Sequence, residues 1–186
     1  HTGGVASVAD ITQGLPRVEE LFEARIPKAK ATIAEINGKI TKITDDKNNR
    51  FKIYITNDVE TREHVTQYNA KLRVEKGDMV NAGDPLTEGS ISPKELLAVT
   101  DPTTVQGYIL KEIQKVYKSQ GVDVSDKHVE TVVRRMITKI KVIDPGDTNL
   151  IEGLAVPLRE FAEINKPVIL AGGVPATGKP VMLGIT

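Results

Sequence analysis

Leu72-Arg73-Val74-Glu75-Lys76-Gly77-Asp78-Met79-Val80-Asn81-Ala82-Gly83-Asp84-Pro85-Leu86 places two Gly-Asp pairs in one short stretch. Glycine reaches the positive φ that a tight turn needs, and aspartate folds its carboxylate back on its own main chain. Two such turns punctuating short apolar runs are the pattern of a compact barrel–sandwich module. Upstream the rhythm is also β. Ile33, Ile36, Ile40 and Ile43 spread through residues 31–44, with Asn37-Gly38 as a turn or bulge signal. Asp45-Asp46-Lys47-Asn48-Asn49 reads as a polar turn, after which Phe51, Ile53 and Ile55 alternate. Residues 60–68 offer another short strand in which Val65 is the apolar member and His64 faces solvent.

Downstream the period changes to that of helices. Ser92-Pro93 starts one over residues 94–99, and Asp101-Pro102 starts a longer one reaching about Ser119. Val105, Tyr108, Ile109, Ile113 and Val116 form its core-facing stripe, and Gly121 supplies the stop. Ser125 or Asp126 caps a third helix to about Thr138, with Val129, Val132, Val133 and Met136 buried. Ile140, Val142 and Ile143 then form a strand ending at Pro145-Gly146. A short helix over 158–164 and two strand-like runs, 168–171 and 181–185, complete the chain. The fold class is α+β: a small β-rich barrel- or sandwich-like module, then helices and a few short strands.

The chain opens His1-Thr2-Gly3-Gly4-Val5-Ala6, followed by Asp10-Ile11-Thr12-Gln13-Gly14-Leu15-Pro16-Arg17-Val18-Glu19-Glu20-Leu21-Phe22-Glu23-Ala24-Arg25. Gly3, Gly4 and Gly14 are expected hinge positions of a flexible loop, with Asp10 and Thr12 as further turn formers. Pro16 fits the start of a short amphipathic helix carrying Leu15, Val18, Leu21 and Phe22, and Pro27 ends it near Arg25. By spacing alone this is a glycine-rich leader to an ordinary helix.

As a string, however, this opening closely resembles the distal half of the trigger loop in the β′ subunit of bacterial DNA-directed RNA polymerase. The resemblance continues through residues 27–34, Glu60-Thr61-Arg62-Glu63, Gly89-Ser90-Ile91-Ser92-Pro93-Lys94-Glu95-Leu96-Leu97 and Val124-Ser125-Asp126-Lys127-His128-Val129-Glu130. It implies three segments: a distal trigger loop and helix over 1–29, a jaw module over 30–92, and a helical region with closing strands over 93–186. It implies that His1 matches the trigger-loop histidine, which approaches the phosphates of the incoming nucleoside triphosphate. The jaw of that family lies along downstream DNA, so Arg17, Arg25, Lys28 and Lys30 become candidate phosphate contacts. The implied reaction is DNA-templated nucleotidyl transfer with two divalent metals. Mg and Zn are implied for the intact subunit through residues outside this chain, so no cofactor is assigned to it. On this reading the chain alone is inert, and its partners are the rest of β′, the other polymerase subunits, downstream DNA and the nucleotide.

Composition bounds the alternatives. The 186 residues carry 25 basic and 25 acidic side chains, so any pull on nucleic acid must come from a local patch. There is no cysteine, which excludes disulfides and cysteine-held zinc. No apolar run suggests a membrane span or signal peptide, making a cytoplasmic protein with no membrane partner the expectation. The start without methionine and the apolar end Val181-Met182-Leu183-Gly184-Ile185-Thr186 suggest an excised piece of a longer polypeptide.

Three look-alikes compete. Gly173-Val174-Pro175-Ala176-Thr177-Gly178-Lys179 has P-loop spacing, but Pro180 stands where Ser or Thr should hold Mg²⁺. A tight loop between two strands is the preferred reading. The Gly-Asp pairs resemble half of a biotinyl or lipoyl carrier domain. A stand-alone barrel–sandwich binding or carrier module is thus the alternative function, although no lysine at a hairpin tip with a carrier motif is evident. Asp126, His128 and Glu130 suggest a metal cluster, yet alternate helix positions point apart, and no metal site is assigned.

Overall fold

The structure is a computed structural model that describes the backbone of residues 8–185 and the side chains from residue 14 to 185. It is α+β, with two antiparallel sheets and five helices among the described residues. Two compact units are present, Ala24–Tyr108 and the remainder, and the division falls within one helix.

The first unit is the β module. Strands β1 (Gly38–Asp46), β2 (Arg50–Thr56), β3 (Thr61–Val65) and β4 (Met79–Val80) form a sheet in the order β3-β2-β1-β4. The β1–β2 hairpin closes through Lys47, Asn48 and Asn49, the two asparagines at φ 69° and 55°. Asparagine tolerates that left-handed geometry where most side chains do not. A bulge falls between Ile40 and Lys42, not at Asn37-Gly38. One extra residue there restores Ile43 to the side of Ile40, which explains two core isoleucines three positions apart in a strand. Ile40, Ile53, Ile55, Ala34, Val80 and Leu86 form the core, with Ile36, Ile43, Leu72 and Val74 packed against it.

The Gly-Asp stretch folds as one device used twice. Asp78 N–H donates to Glu75 C=O (3.1 Å), and the Asp78 carboxylate accepts from Glu75 N–H (2.8 Å). Asp84 and Asn81 repeat both bonds at 3.0 and 2.8 Å. Gly77 and Gly83 sit at φ 99° and 93°, as the third residue of such a turn requires. Each turn then bonds a neighbouring segment in the same way. Gly77 N–H donates to Ile40 C=O and Ile40 N–H to Asp78 C=O; Gly83 and Ala34 with Asp84 do likewise.

Helix α2 (Pro93–Val99) follows Ser92, and α3 (Pro102–Ser119) starts where Asp101 accepts from Thr104 N–H at 2.8 Å. Val105, Ile109 and Ile113 of the expected stripe are fully buried.

In the second unit, α1 spans Val8–Phe22. This corrects the expected loop: Pro16 lies inside the helix, and Gly14 is a helical residue and not a loop hinge. The reason is packing. A Cβ on Gly14 would overlap Gln120 Nε2 and press on Val116, so its bareness lets α3 approach. The Arg17 guanidinium reinforces the contact, reaching Glu20 at 2.6 Å and Glu112 of α3 at 3.2 Å.

Helix α4 (Asp126–Arg134) is capped by the Ser125 hydroxyl, and β5 (Lys139–Asp144) pairs with β6 (Ala155–Pro157) and β7 (Thr177–Val181). Helix α5 runs Leu158–Leu170, absorbing the expected strand 168–171, with Pro167 internal. β7 comes earlier than the expected 181–185 strand because β5 sets its register, pairing Ile140 with Pro180 at an edge that tolerates proline.

The duplicated turn makes an asymmetric prediction. Nothing surrounds a Cβ on Gly77, whereas one on Gly83 would meet Leu96 Cδ1 at 2.8 Å and Thr100 Cγ2 at 2.9 Å. Gly77→Ala should cost about 1–2 kcal/mol from backbone strain alone. Gly83→Ala should cost roughly 1–3 kcal/mol more from overpacking. Equilibrium urea unfolding of both variants checks this order.

Candidate functional site

Several of the look-alikes resolve first. The P-loop spacing begins directly after a helix, not a strand: Gly172 N–H and Gly173 N–H donate to Ile169 and Val168 carbonyls at the end of α5. Gly178 and Lys179 lie in β7, so the loop joins a helix to a strand. Its donors are consumed. Val174 N–H goes to the Asp147 carboxylate (2.7 Å), and Ala176 N–H to Asn165 Oδ1 (2.8 Å), whose amide returns a bond to Ala176 C=O (3.0 Å). No phosphate cradle remains there. Asp126 accepts from Gln114 Nε2 at 2.7 Å, while His128 is exposed. Among the described residues no group of three or more His, Cys, Asp or Glu could hold a metal.

His1, Gly3 and Gly4 lie outside the described residues. The four candidate phosphate contacts divide. Arg17 belongs to the second unit, its guanidinium 17% exposed between two carboxylates. Arg25, Lys28 and Lys30 belong to the β module; Arg25 and Lys28 are exposed, and Lys30 bonds Glu95 at 2.8 Å.

The sheet adds cations that spacing did not single out. Register places Lys39 opposite Thr56 and Lys42 opposite Tyr54 on the outward face. The Lys42 ammonium lies 5.6 Å from the Tyr54 ring centroid, a cation–π distance. Thr41, Thr56 and Thr61 hydroxyls form a row beside them at 3.1 and 2.9 Å. The signal was present as two lysines flanking Thr41, but without the bulge they fall on opposite faces of a regular strand.

At the other edge of the same sheet the expectation for His64 is reversed. His64 is 3% exposed, and Val65 is the outward residue at 41%. The imidazole is held by polar partners: Nε2 accepts from Glu35 N–H at 2.9 Å, and Nδ1 faces Arg62 C=O at 3.2 Å. That pattern assigns the proton to Nδ1. Beside it lies an open cleft of about 270 Å³, lined by Lys30, Thr32, Ile33, Glu35, Glu63 and Glu95 among others. The side chains of Glu35, Glu63 and Glu95 are 47%, 44% and 43% exposed.

These features sit on a known framework. The family described as RNA polymerase Rpb1, domain 5, matches residues 1–181, and the chain belongs to that family. It is 55% identical over 186 residues to the DNA-directed RNA polymerase subunit beta' of Bacillus velezensis, and equally so to that of Bacillus subtilis (strain 168). The corresponding subunit of Streptococcus pneumoniae (strain Hungary19A-6) is 54% identical over 187 residues. In each case the whole chain is covered but only 15% of the relative's length. No helix among the described residues is long and apolar enough to cross a membrane.

Replacing His64 by leucine should orphan Glu35 N–H, costing about 1–3 kcal/mol. Urea unfolding reads the loss, and amide exchange at Glu35 should rise selectively. Wild-type stability in the variant would contradict the bonding scheme.

Proposed function

We propose that the chain works as part of the β′ subunit of a DNA-directed RNA polymerase, in DNA-templated RNA synthesis. The observation that carries this is the unbroken match of the family across residues 1–181, together with identity near 55% to subunits of that name. On this reading the segment through α1 is the distal trigger loop, the β module is the jaw, and the partners are the rest of the polymerase, downstream DNA and the nucleoside triphosphate. Exposed apolar side chains favour a place in a larger assembly. Ile169, Leu170 and Val174 are 58%, 78% and 60% exposed at the end of α5 and the loop after it.

The division of labour follows from the chemistry of the side chains. His1 positions or protonates the leaving pyrophosphate when the trigger loop closes. The two metals that activate nucleophile and leaving group in such transfers are held by residues outside this chain. Alone, the chain is therefore inactive. Helix α1 is tied to α3 through the bare flank of Gly14 and the Arg17–Glu112 ion pair. For the jaw, the best phosphate contacts are the exposed cations of the β module: Arg25 and Lys28, joined by Lys39 and Lys42 on the sheet's outward face. Arg17 and Lys30 rank below Lys28 because carboxylates already hold them.

In the complete polymerase, His1→Gln should slow single-nucleotide addition by roughly 10²–10⁴-fold if the imidazole acts as an acid. Rapid-quench measurement of one addition step is the test. An unchanged rate would remove His1 from the mechanism.

A further inference from the structure

Helix α1 stops without the residue that such a stop favours. Ala24 follows it at φ 52°, where the left-handed turn after a helix usually takes glycine. The last carbonyls of a helix have no partner within it, so other groups must bind them. Here a partner comes from the far end of the chain. Ile185 N–H donates to Phe22 C=O at 3.2 Å, and Leu183 N–H donates to Met136 C=O, just beyond α4, at 2.8 Å. Residues 183–185 thus tie the end of α1 to the end of α4. They follow β7 after the single residue Met182, and β7 is held along β5, so the tie hangs from a sheet. All of these residues belong to one compact unit.

Gly184 makes the approach possible. A Cβ there would lie 2.5 Å from Glu23 Oε2, 3.1 Å from Glu23 Cα and 3.2 Å from the Glu23 carbonyl oxygen. The carboxylate can swing aside, but the Glu23 backbone is fixed by the helix it ends, through its N–H bond to Glu19 C=O. Any side chain at 184 therefore pushes the 183–185 segment off the helix end. Leu21, Met136 and Met182, which adjoin or make these bonds, are all buried, so the joint is packed as well as bonded.

We propose that Gly184 is a positioning residue for nucleotide addition: it lets residues 183–185 clasp the base of α1, the limb on which the trigger loop closes. A limb fixed at its base has less conformational freedom to lose on closing, so the closed loop is more populated. Gly184 touches neither nucleotide nor metal on this account and acts only through α1. The proposal rests on the reading of residues 1–29 as the distal trigger loop, and it needs no contact between the β module and DNA.

The test is made in the complete polymerase. Gly184→Ala should slow single-nucleotide addition at saturating nucleotide by roughly 3–10-fold, the scale of losing one helix cap. Ile185→Pro removes the donor to Phe22 without bulk at 184 and should act in the same direction, so either variant serves if the other fails to assemble. Gly153→Ala controls for general destabilisation: Gly153 has φ 84° in the same unit, but open space surrounds its Cβ, and addition should keep the wild-type rate. Glu23→Ala removes the 2.5 Å contact and should return part of the rate lost in Gly184→Ala. Coupling separates positioning from stability. Combined with His1→Gln, Gly184→Ala should cost much less than it does alone, because a loop without its imidazole gains little from closing. Wild-type rates in the assembled Gly184→Ala and Ile185→Pro enzymes, an equal loss in Gly153→Ala, or full additivity with His1→Gln would each overturn the proposal. An unchanged rate in His1→Gln alone would overturn the trigger-loop reading, and the clasp with it.

Discussion

The β module depends on one constraint used twice: a turn in which glycine takes a positive φ and the next aspartate closes the loop on itself. Each carboxylate satisfies a main-chain N–H that the turn would otherwise leave bare, at 2.8 Å in both copies. The glycine N–H and aspartate C=O are thereby freed to bond a neighbouring segment, at Ile40 in one copy and Ala34 in the other. Segments distant in sequence are thus fixed in place with little regular strand. β4 needs only Met79 and Val80 because the turns on either side carry the connections. The core of Ile40, Ile53, Ile55 and Leu86 then packs behind a frame whose geometry is already set.

That frame separates charge. Reading across the sheet from β1 to β3, the outward positions pass from Lys39 and Lys42, through Lys52, to Glu63. Lys52 sits 3.8 Å from Glu63 and 4.0 Å from Asp46, so its charge is shared between a carboxylate on each flanking strand. A chain whose formal charges cancel overall still has a cationic side and an acidic edge on one small module. This local segregation lets a protein of zero net charge present a locally cationic surface.

How far the sequence revealed this depends on the range of the forces involved. Helix α3 was legible down to Val105, Ile109 and Ile113 because an amphipathic period and an Asp-Pro start are local signals. The β1–β2 hairpin was legible for the same reason. His64 was not: a histidine among polar neighbours reads as wet, and its burial depends on Glu35 N–H, 29 positions away in sequence. The true start of α1 was equally hidden. Gly14 and Pro16 argue locally against a helix, and contact with Gln120 and Val116 overrides them. Pro167 misled in the same manner, dividing on paper the helix that is continuous in space. The site residues drawn from family resemblance were the least open to physical reading, since a phosphate contact leaves no periodic trace in a sequence.

The central claim is that one sheet offers two surfaces of opposite charge, and site-specific photo-crosslinking in the assembled polymerase tests it most directly. A crosslinking amino acid replaces Lys42 in one enzyme and Glu63 in another, each paused on a labelled template. The account predicts labelled downstream DNA joined to position 42 and none joined to position 63. DNA captured at position 63, or at neither position, would contradict it.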